Sequence, residues 1–284
     1  MVRYLALVGT LVVTLIAEPL VADTSMLIIA HRGASAERPE HTLAAYELAM
    51  IQGADYIEPD LVATRDQVLV SRHENELSET TDVATRPEFK DRFREKLIDG
   101  YAFSGWFAED FTLAELRTLR TRERIPKIRP DNSRYDGLYQ VPTFQEIVQL
   151  ARAYEAQTGR TIGVYPELKH PTFLMQHANI DVVQLLLSEL EELKLEPTDP
   201  IFIQCFEVEA LQRLADTSDY ALVQLVAPEG GPADKPEQSY AAMTSPAGLA
   251  DIALYADAVG ANIAQILQPD GTPTSLVANA RTAG

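Results

Sequence analysis

The chain has 284 residues, 46% of them hydrophobic, enough to bury the core of one α/β barrel of about 250 residues or of two smaller domains, which argues against a mainly disordered chain. Its 42 acidic residues outnumber the 24 basic ones, for a formal net charge of -18. That excess repels polyanions, so nucleic acid is not expected as a partner, and phosphate chemistry here needs a concentrated local positive charge such as a metal or a buried arginine.

From the N-terminus, residues 1–22 carry a cation at Arg3, an apolar run over 5–17 and small residues near Ala22, the pattern of a signal peptide. The run is shorter than the roughly 20 residues of a membrane-spanning helix. Export to the periplasm or the medium is the expectation. The acidic mature chain, with no evident basic or apolar membrane face, is not expected to associate stably with a bilayer.

Short β-branched runs at 27–30, 55–61, 68–71, 161–167, 201–204, 220–226 and 256–260 alternate with amphipathic segments at 41–52, 143–157 and 179–193. That alternation predicts a parallel sheet covered by helices. Thr143 with Glu146 and Thr112 with Glu115 have capping-box spacing, the second with Phe111 and Leu116 placed for a hydrophobic staple. Residues 60–68 leave no room for a helical crossover between parallel strands, so the barrel is expected to be distorted there. The charged stretch at about 82–139, which holds Trp106, breaks the alternation and reads as an insertion. Residues 227–238 read as a Pro/Gly-rich surface loop. Cys205, the single cysteine, rules out an intrachain disulfide and a thiolate metal site and is expected to be a small buried residue.

The polar residues fall at strand ends. LIIA runs into His31 and Arg32, DYI into Glu58 and Asp60, VLVS into Arg72 and His73, and IGVYP into Glu167 and Lys169. In a parallel barrel these ends converge on one face. Glu58 and Asp60, two apart on a strand, project to one side, as do Glu167 and Lys169. Pro59 and Pro166 fit strand ends, since proline donates nothing to a ladder. Three converging carboxylates repel one another unless a hard divalent cation joins them, and an oxygen-only ligand set favours calcium or magnesium over zinc. His31 and His73 suit acid–base work near neutral pH, and Arg32 offers a planar fork for phosphate oxygens. Arg72 reads as a rim charge, His41 as part of a helix start, and His170 and His177 as solvated.

HRGASAERPEHT, GADYIEPDLVAT, RHENELSETTDV, YPELK and FIQCFE occur in this order, and together the chain resembles the glycerophosphodiester phosphodiesterases, most closely their periplasmic branch. The likeness extends through GWFAEDFTLAEL and YADAVGANI, covering essentially the whole chain after the first segment. It implies a TIM-type (β/α) barrel, here residues 23–284, that hydrolyses glycerophosphodiesters to an alcohol and sn-glycerol 3-phosphate. It implies His31 and His73 as the catalytic pair, Glu58, Asp60 and Glu167 as ligands of one divalent cation with calcium ahead of magnesium, Arg32 and Lys169 at the substrate phosphate, and Phe206 near the glycerol. In the mechanism it implies, the glycerol 2-hydroxyl attacks first and water then opens a cyclic phosphate.

The sequence departs from the family pattern twice. Glu74 stands where the family generally has Asp, a change that keeps the charge. The resemblance also implies a further strand and helix beyond residue 284, since roughly 200 residues remain for the barrel once the signal segment and the insertion are set aside, against about 250 in a full one. Two readings compete with the diesterase: a related two-histidine phospholipase acting on phosphatidylinositol or sphingomyelin, and an inactive truncated fragment whose barrel is open.

Overall fold

The computed structural model describes residues 26–284. The expected signal segment, residues 1–22, lies outside the described residues. The chain begins with β1 (Ile29–His31), α1 (Leu43–Ile51), and the three strands β2 (Tyr56–Glu58), β3 (Asp60–Ala63) and β4 (Leu69–Ser71). A long segment follows with a two-stranded hairpin, β5 (Arg94–Ile98) and β6 (Tyr101–Gly105), and the single turn α2 (Leu113–Leu116). Then come α3 (Phe144–Thr158), β7 (Gly163–Val164), β8 (Glu167–Leu168), α4 (Pro171–Phe173), α5 (Val182–Glu192), β9 (Phe202–Cys205), α6 (Val208–Thr217) and β10 (Ala221–Val226). The described chain closes with α7 (Tyr240–Met243), α8 (Pro246–Ile252), β11 (Ala258–Ala261), α9 (Ile263–Ile266) and α10 (Leu276–Ala283).

Six parallel runs lie side by side in chain order: β1, β2 with β3, β7 with β8, β9, β10 and β11. Pro59 and Pro166 split the second and third runs in two, because neither can donate to the ladder. Their carbonyls still accept, Pro59 from the Glu167 amide at 2.9 Å and Pro166 from the Gln204 amide at 2.9 Å. The register sets His31 against Glu58, and Asp60 against Glu167, which in turn faces Gln204. Close approach of the second and third runs needs Gly163, since a β-carbon there would lie 2.2 Å from the Tyr56 ring.

Helices follow the strands and bury one face each, as their spacing predicted. Tyr46 and Met50 on α1, Phe144 and Ile147 on α3, Leu186 and Leu190 on α5, and Leu211 and Leu214 on α6 are fully buried in the main core or nearly so. Each such side chain contributes about 1.5–3 kcal/mol on leaving water. Cys205 is buried in the same core. Thr143 and Glu146 form the expected capping box at the start of α3, and Thr112 and Glu115 do so at α2. Phe111 and Leu116 are buried in one cluster.

The segment between β4 and α3 carries its own apolar cluster, with Leu77, Phe89, Phe111 and Leu116, completed by Val62 and Val70 from β3 and β4. These two strands correct the sequence reading of residues 68–71. β4 is antiparallel to β3, with Leu61 opposite Ser71 and Ala63 opposite Leu69, so it is the return limb of a hairpin and not a parallel barrel strand. The distortion anticipated over 60–68 is this hairpin, turned by Gln67 in the left-handed region at φ 59°.

The architecture is a TIM-type (β/α) barrel. Among the described residues β1 pairs only with β2 and β11 only with β10, so the ring is open between these two edges. No helix among the described residues is long and apolar enough to cross a membrane.

Candidate active site

The strand register gathers the charged residues at one level. Glu58 ends β2, Asp60 opens β3 and Glu167 opens β8, and one carboxylate oxygen from each lies within 4.8 Å of the others. All three side chains are buried. Glu58 accepts from the Arg32 amide through Oε2 at 2.8 Å and from Gln204 Nε2 through Oε1 at 3.0 Å. Glu167 Oε1 accepts from Lys169 Nζ at 2.9 Å. Asp60 Oδ2 takes His41 Nε2 at 2.7 Å and lies 3.4 Å from Arg32 Nε.

Burial, then the charges of Asp60 and Glu167, push the Glu58 carboxyl well above the usual carboxylate range. Burial likewise pushes Glu167 up to about 8, the Asp60 carboxylate adding to the rise while Lys169 opposes it. Burial alone would raise Asp60 too, but His41 and Lys169 hold it well below its ordinary value. The cluster is therefore short of positive charge. Asp60 Oδ1 is buried and without a hydrogen-bond partner among the described residues. Three converging carboxylates, two of them held toward their protonated forms, and an orphaned oxygen fit a hard divalent cation with oxygen ligands.

A second layer holds the cluster. Gly33, at φ 78°, allows the chain to turn back against α1, where a β-carbon would lie 2.6 Å from the Ala45 carbonyl carbon. Arg32 and His41 on either side of this turn are also left-handed, at φ 64° and 55°. Arg32 Nη1 reaches Glu40 at 3.3 Å and its Nε reaches His31 Nε2 at 3.2 Å. Glu40, buried, also takes Arg124 Nε at 3.0 Å, so the long inserted segment braces Arg32. Burial lowers His41 to about 4 despite the Asp60 charge. The neutral ring donates Nε2–H to Asp60, and its Nδ1 accepts from the Tyr46 or Ser71 hydroxyl at 2.7 and 2.9 Å. A buried neutral imidazole between a ligand carboxylate and hydroxyls orients that carboxylate.

His31 ends the first strand and opens to solvent at the mouth of the site, yet partial burial, with the Arg32 charge adding, lowers its pKa. His73 arrives by the antiparallel return of β4, which carries Arg72 and His73 back to Asp60, whose carbonyl accepts the Arg72 amide at 3.0 Å. His73 Nδ1 lies 2.8 Å from Glu74 Oε1. Lys169 Nζ is 5.9 Å from the Phe206 ring centroid. Glu167, Lys169, His170 and Phe206 line a cavity of about 330 Å³ whose lining also includes Asp99 from the β5–β6 turn and Tyr101 at the start of β6. A larger cavity of about 780 Å³, lined by Val208, Met243 and Leu254 among others, contains none of these groups.

The residues expected from strand ends thus come together, and three readings are corrected. His41 is a fully buried partner of Asp60 and not only a residue before a helix. Arg72 is no rim charge: it is buried, donating from Nε to the Ser71 carbonyl at 2.6 Å and from Nη2 to the His41 carbonyl at 2.8 Å, and burial lowers it to about 10. His170 is not solvated but wedged between Asp99 and Glu74. No strand end announces His41, and its signal in the sequence is its place in HRGASAERPEHT beside His31.

Comparison with known proteins accords with this geometry. Residues 31–284 match the model of the Glycerophosphoryl diester phosphodiesterase family. The chain is 33% identical over 270 residues to a glycerophosphodiester phosphodiesterase of Arabidopsis thaliana, covering 89% of this chain and 71% of that protein. It is 32% identical over 266 residues to that of Haemophilus influenzae, covering 84% and 70%. Among solved structures, a putative glycerophosphoryl diester phosphodiesterase of Silicibacter pomeroyi superposes with a TM-score of 0.64 at 23% identity, covering 91% of this chain and 80% of that one. A phosphodiesterase of Oleispira antarctica, solved with the product sn-glycerol-3-phosphate, superposes with a TM-score of 0.60 at 20% identity, covering 91% and 81%.

Proposed function

Because the chain belongs to the glycerophosphoryl diester phosphodiesterase family, we propose that its buried carboxylate cluster, with His31 and His73 beside it, is the site of metal-assisted acid–base hydrolysis. The enzyme cleaves glycerophosphodiesters to an alcohol and sn-glycerol 3-phosphate. The observation that carries the site assignment is the convergence of Glu58, Asp60 and Glu167 within 4.8 Å around an unpartnered Asp60 oxygen.

Glu58, Asp60 and Glu167 would hold the cation, and when bound it supplies Lewis acidity and offsets charge on the phosphoryl group. Calcium is proposed ahead of magnesium, because calcium accepts irregular sets of carboxylate oxygens whereas magnesium demands a near-ideal octahedron and keeps several of its waters. His31, kept neutral by its lowered pKa, takes the proton of the glycerol 2-hydroxyl as that oxygen attacks phosphorus. His73, its Nδ1–H held by Glu74, gives the Nε2 proton to the departing alcohol oxygen, and the P–O bond to the alcohol breaks. Water then adds to the cyclic phosphate while His73 removes its proton. His31 returns its proton to the 2-oxygen and sn-glycerol 3-phosphate is complete. Arg32 and Lys169 place cationic donors at the phosphate, and Phe206 packs beside the glycerol carbons.

We also propose that the protein works outside the cytoplasm, in the periplasm or the medium, on the pattern of Arg3 and residues 5–17. N-terminal sequencing of the protein from its native host tests this, with a start near residue 23 expected and an intact Met1 contrary to it. The assignment of roles at the site is tested by single-turnover assays with glycerophosphocholine, in which the cyclic glycerophosphate should be trapped when the second step is slowed. Its absence under every condition would remove the 2-hydroxyl route.

A further inference from the structure

One ring joins the tip of the inserted hairpin to the histidine at the reaction centre. Asp99 and Gly100 turn β5 into β6, both left-handed, at φ 52° and 85°, and this turn brings the Asp99 carboxylate onto His170 Nδ1. His170, itself left-handed at φ 51°, presents Nε2 to Glu74 Oε2 at 3.2 Å. The other oxygen of the same carboxylate, Glu74 Oε1, faces His73 Nδ1 at 2.8 Å. The order is thus Asp99, His170, Glu74, His73, alternating carboxylate and imidazole without a gap.

We propose that His170 is a positioning residue of the reaction, fixing the Glu74 carboxylate so that Glu74 holds the Nδ1 proton of His73 and leaves Nε2 of His73 to the substrate. The inference rests on the reading of His73 as the proton donor given above. Glu74 is one-third exposed, and a glutamate with one bonded oxygen swings about its own torsions at small cost. Occupying its second oxygen removes that freedom. A fixed carboxylate selects the imidazole tautomer and steadies the imidazolium that forms during catalysis, the part played by the third member of other acid–base triads. His170 is not itself the transferring group. Burial lowers its pKa, but Asp99 and Glu74 outweigh that and raise it to about 9, with Lys169 opposing them, so both its nitrogens donate at neutral pH. Hydrogen bonds from His170 and His73 hold Glu74 well below the carboxylate range although burial opposes them. Glutamate suits this double contact, since its chain is one methylene longer than the Asp of the family pattern.

The test is His170→Asn, because asparagine tolerates the left-handed backbone and lacks the reach to bridge the two carboxylates. With glycerophosphocholine and calcium the variant should keep its melting temperature within a few degrees and its KM, while kcat falls by about 10-fold. In a Glu74→Gln background the same substitution should cost nothing further, since both act through one carboxylate. Asp99→Asn, which weakens the other side of the ring, should lower kcat by less. Imidazole ¹⁵N spectra give a reading independent of turnover: the neutral form of His73 should carry its proton on Nδ1 in the parent and lose that preference in His170→Asn. An unchanged kcat in the folded variant, additive losses with Glu74→Gln, or an unchanged His73 tautomer would each overturn the proposal. A parent protein that leaves glycerophosphocholine intact would overturn the functional reading instead, and the His73 spectra then decide the coupling alone.

Discussion

Glu167→Gln separates the two roles of the carboxylate cluster, because the amide reproduces the protonated carboxyl that the cation-free site prefers. Its carbonyl can accept from Lys169 Nζ as Glu167 Oε1 does at 2.9 Å, and its NH₂ can donate to the adjacent Asp60 carboxylate. In the folded protein Glu167 titrates at about 8, mainly through burial, against about 4.3 for a free glutamate. The folded pKa is raised, so this group's stabilising contribution is complete below pH 4 and is lost as the pH climbs toward 8. Each unit across that window costs up to about 1.4 kcal/mol, or on the order of 3 kcal/mol by pH 7. In excess chelator the parent should therefore melt at progressively lower temperature from pH 5 to 8, and Glu167→Gln should melt about 5–10 °C higher than the parent at pH 7. Calcium should reverse the order. A ligand at 1,000 times its dissociation constant adds about 4.1 kcal/mol to a protein that binds it, more than the deficit of the parent at pH 7, and the variant, short of one carboxylate, should gain much less. Calorimetry of both proteins over pH, with chelator and with calcium, makes the comparison. A variant less stable than the parent in chelator at pH 7, or one equally stabilised by calcium, would refute the reasoning.

His31→Ala and His73→Ala should each lower kcat by on the order of 10²-fold or more, with small shifts in melting temperature, because both histidines stand at the mouth of the site and away from the core. Near-normal turnover in either would remove that residue from the mechanism. His41→Asn, which keeps the left-handed backbone, takes from Asp60 a charge-assisted bond worth about 1.5–3 kcal/mol; the melting temperature in chelator should drop by several degrees and calcium should restore part of it. Gly33→Ala should cost at least about 3 kcal/mol, since it forces an alanine into positive φ and against the Ala45 backbone; soluble protein with an unchanged melting temperature would contradict the turn described here.

The sequence made the alternation of strands and helices legible because buried parallel strands read as short apolar runs, and it made the site legible because its polar residues interrupt those runs at their ends. Glu58, Asp60 and Glu167 could be placed on one side of their strands by period alone. The direction of β4 was not legible from its composition, since VLVS suits a parallel or an antiparallel partner equally. Only the few residues between Asp60 and Val68 hinted at a hairpin. His41, Arg72 and His170 depart from their local sequence pattern for a common reason. Each sits in a loop or a positive-φ position whose side-chain direction follows from long-range packing, against Asp60, against the His41 carbonyl, and between Asp99 and Glu74. Local pattern carries no information about such contacts. Glu40 likewise carries no local signal of its role, since its partner Arg124 is 84 residues away.

The assigned site requires above all that the acidic cluster make diester cleavage cation-dependent. Purified protein should release sn-glycerol 3-phosphate and choline in equal amounts from glycerophosphocholine in calcium, lose that activity in excess chelator and regain it when calcium is restored. Full turnover in chelator, or release of glycerol and phosphocholine in place of those products, would contradict it.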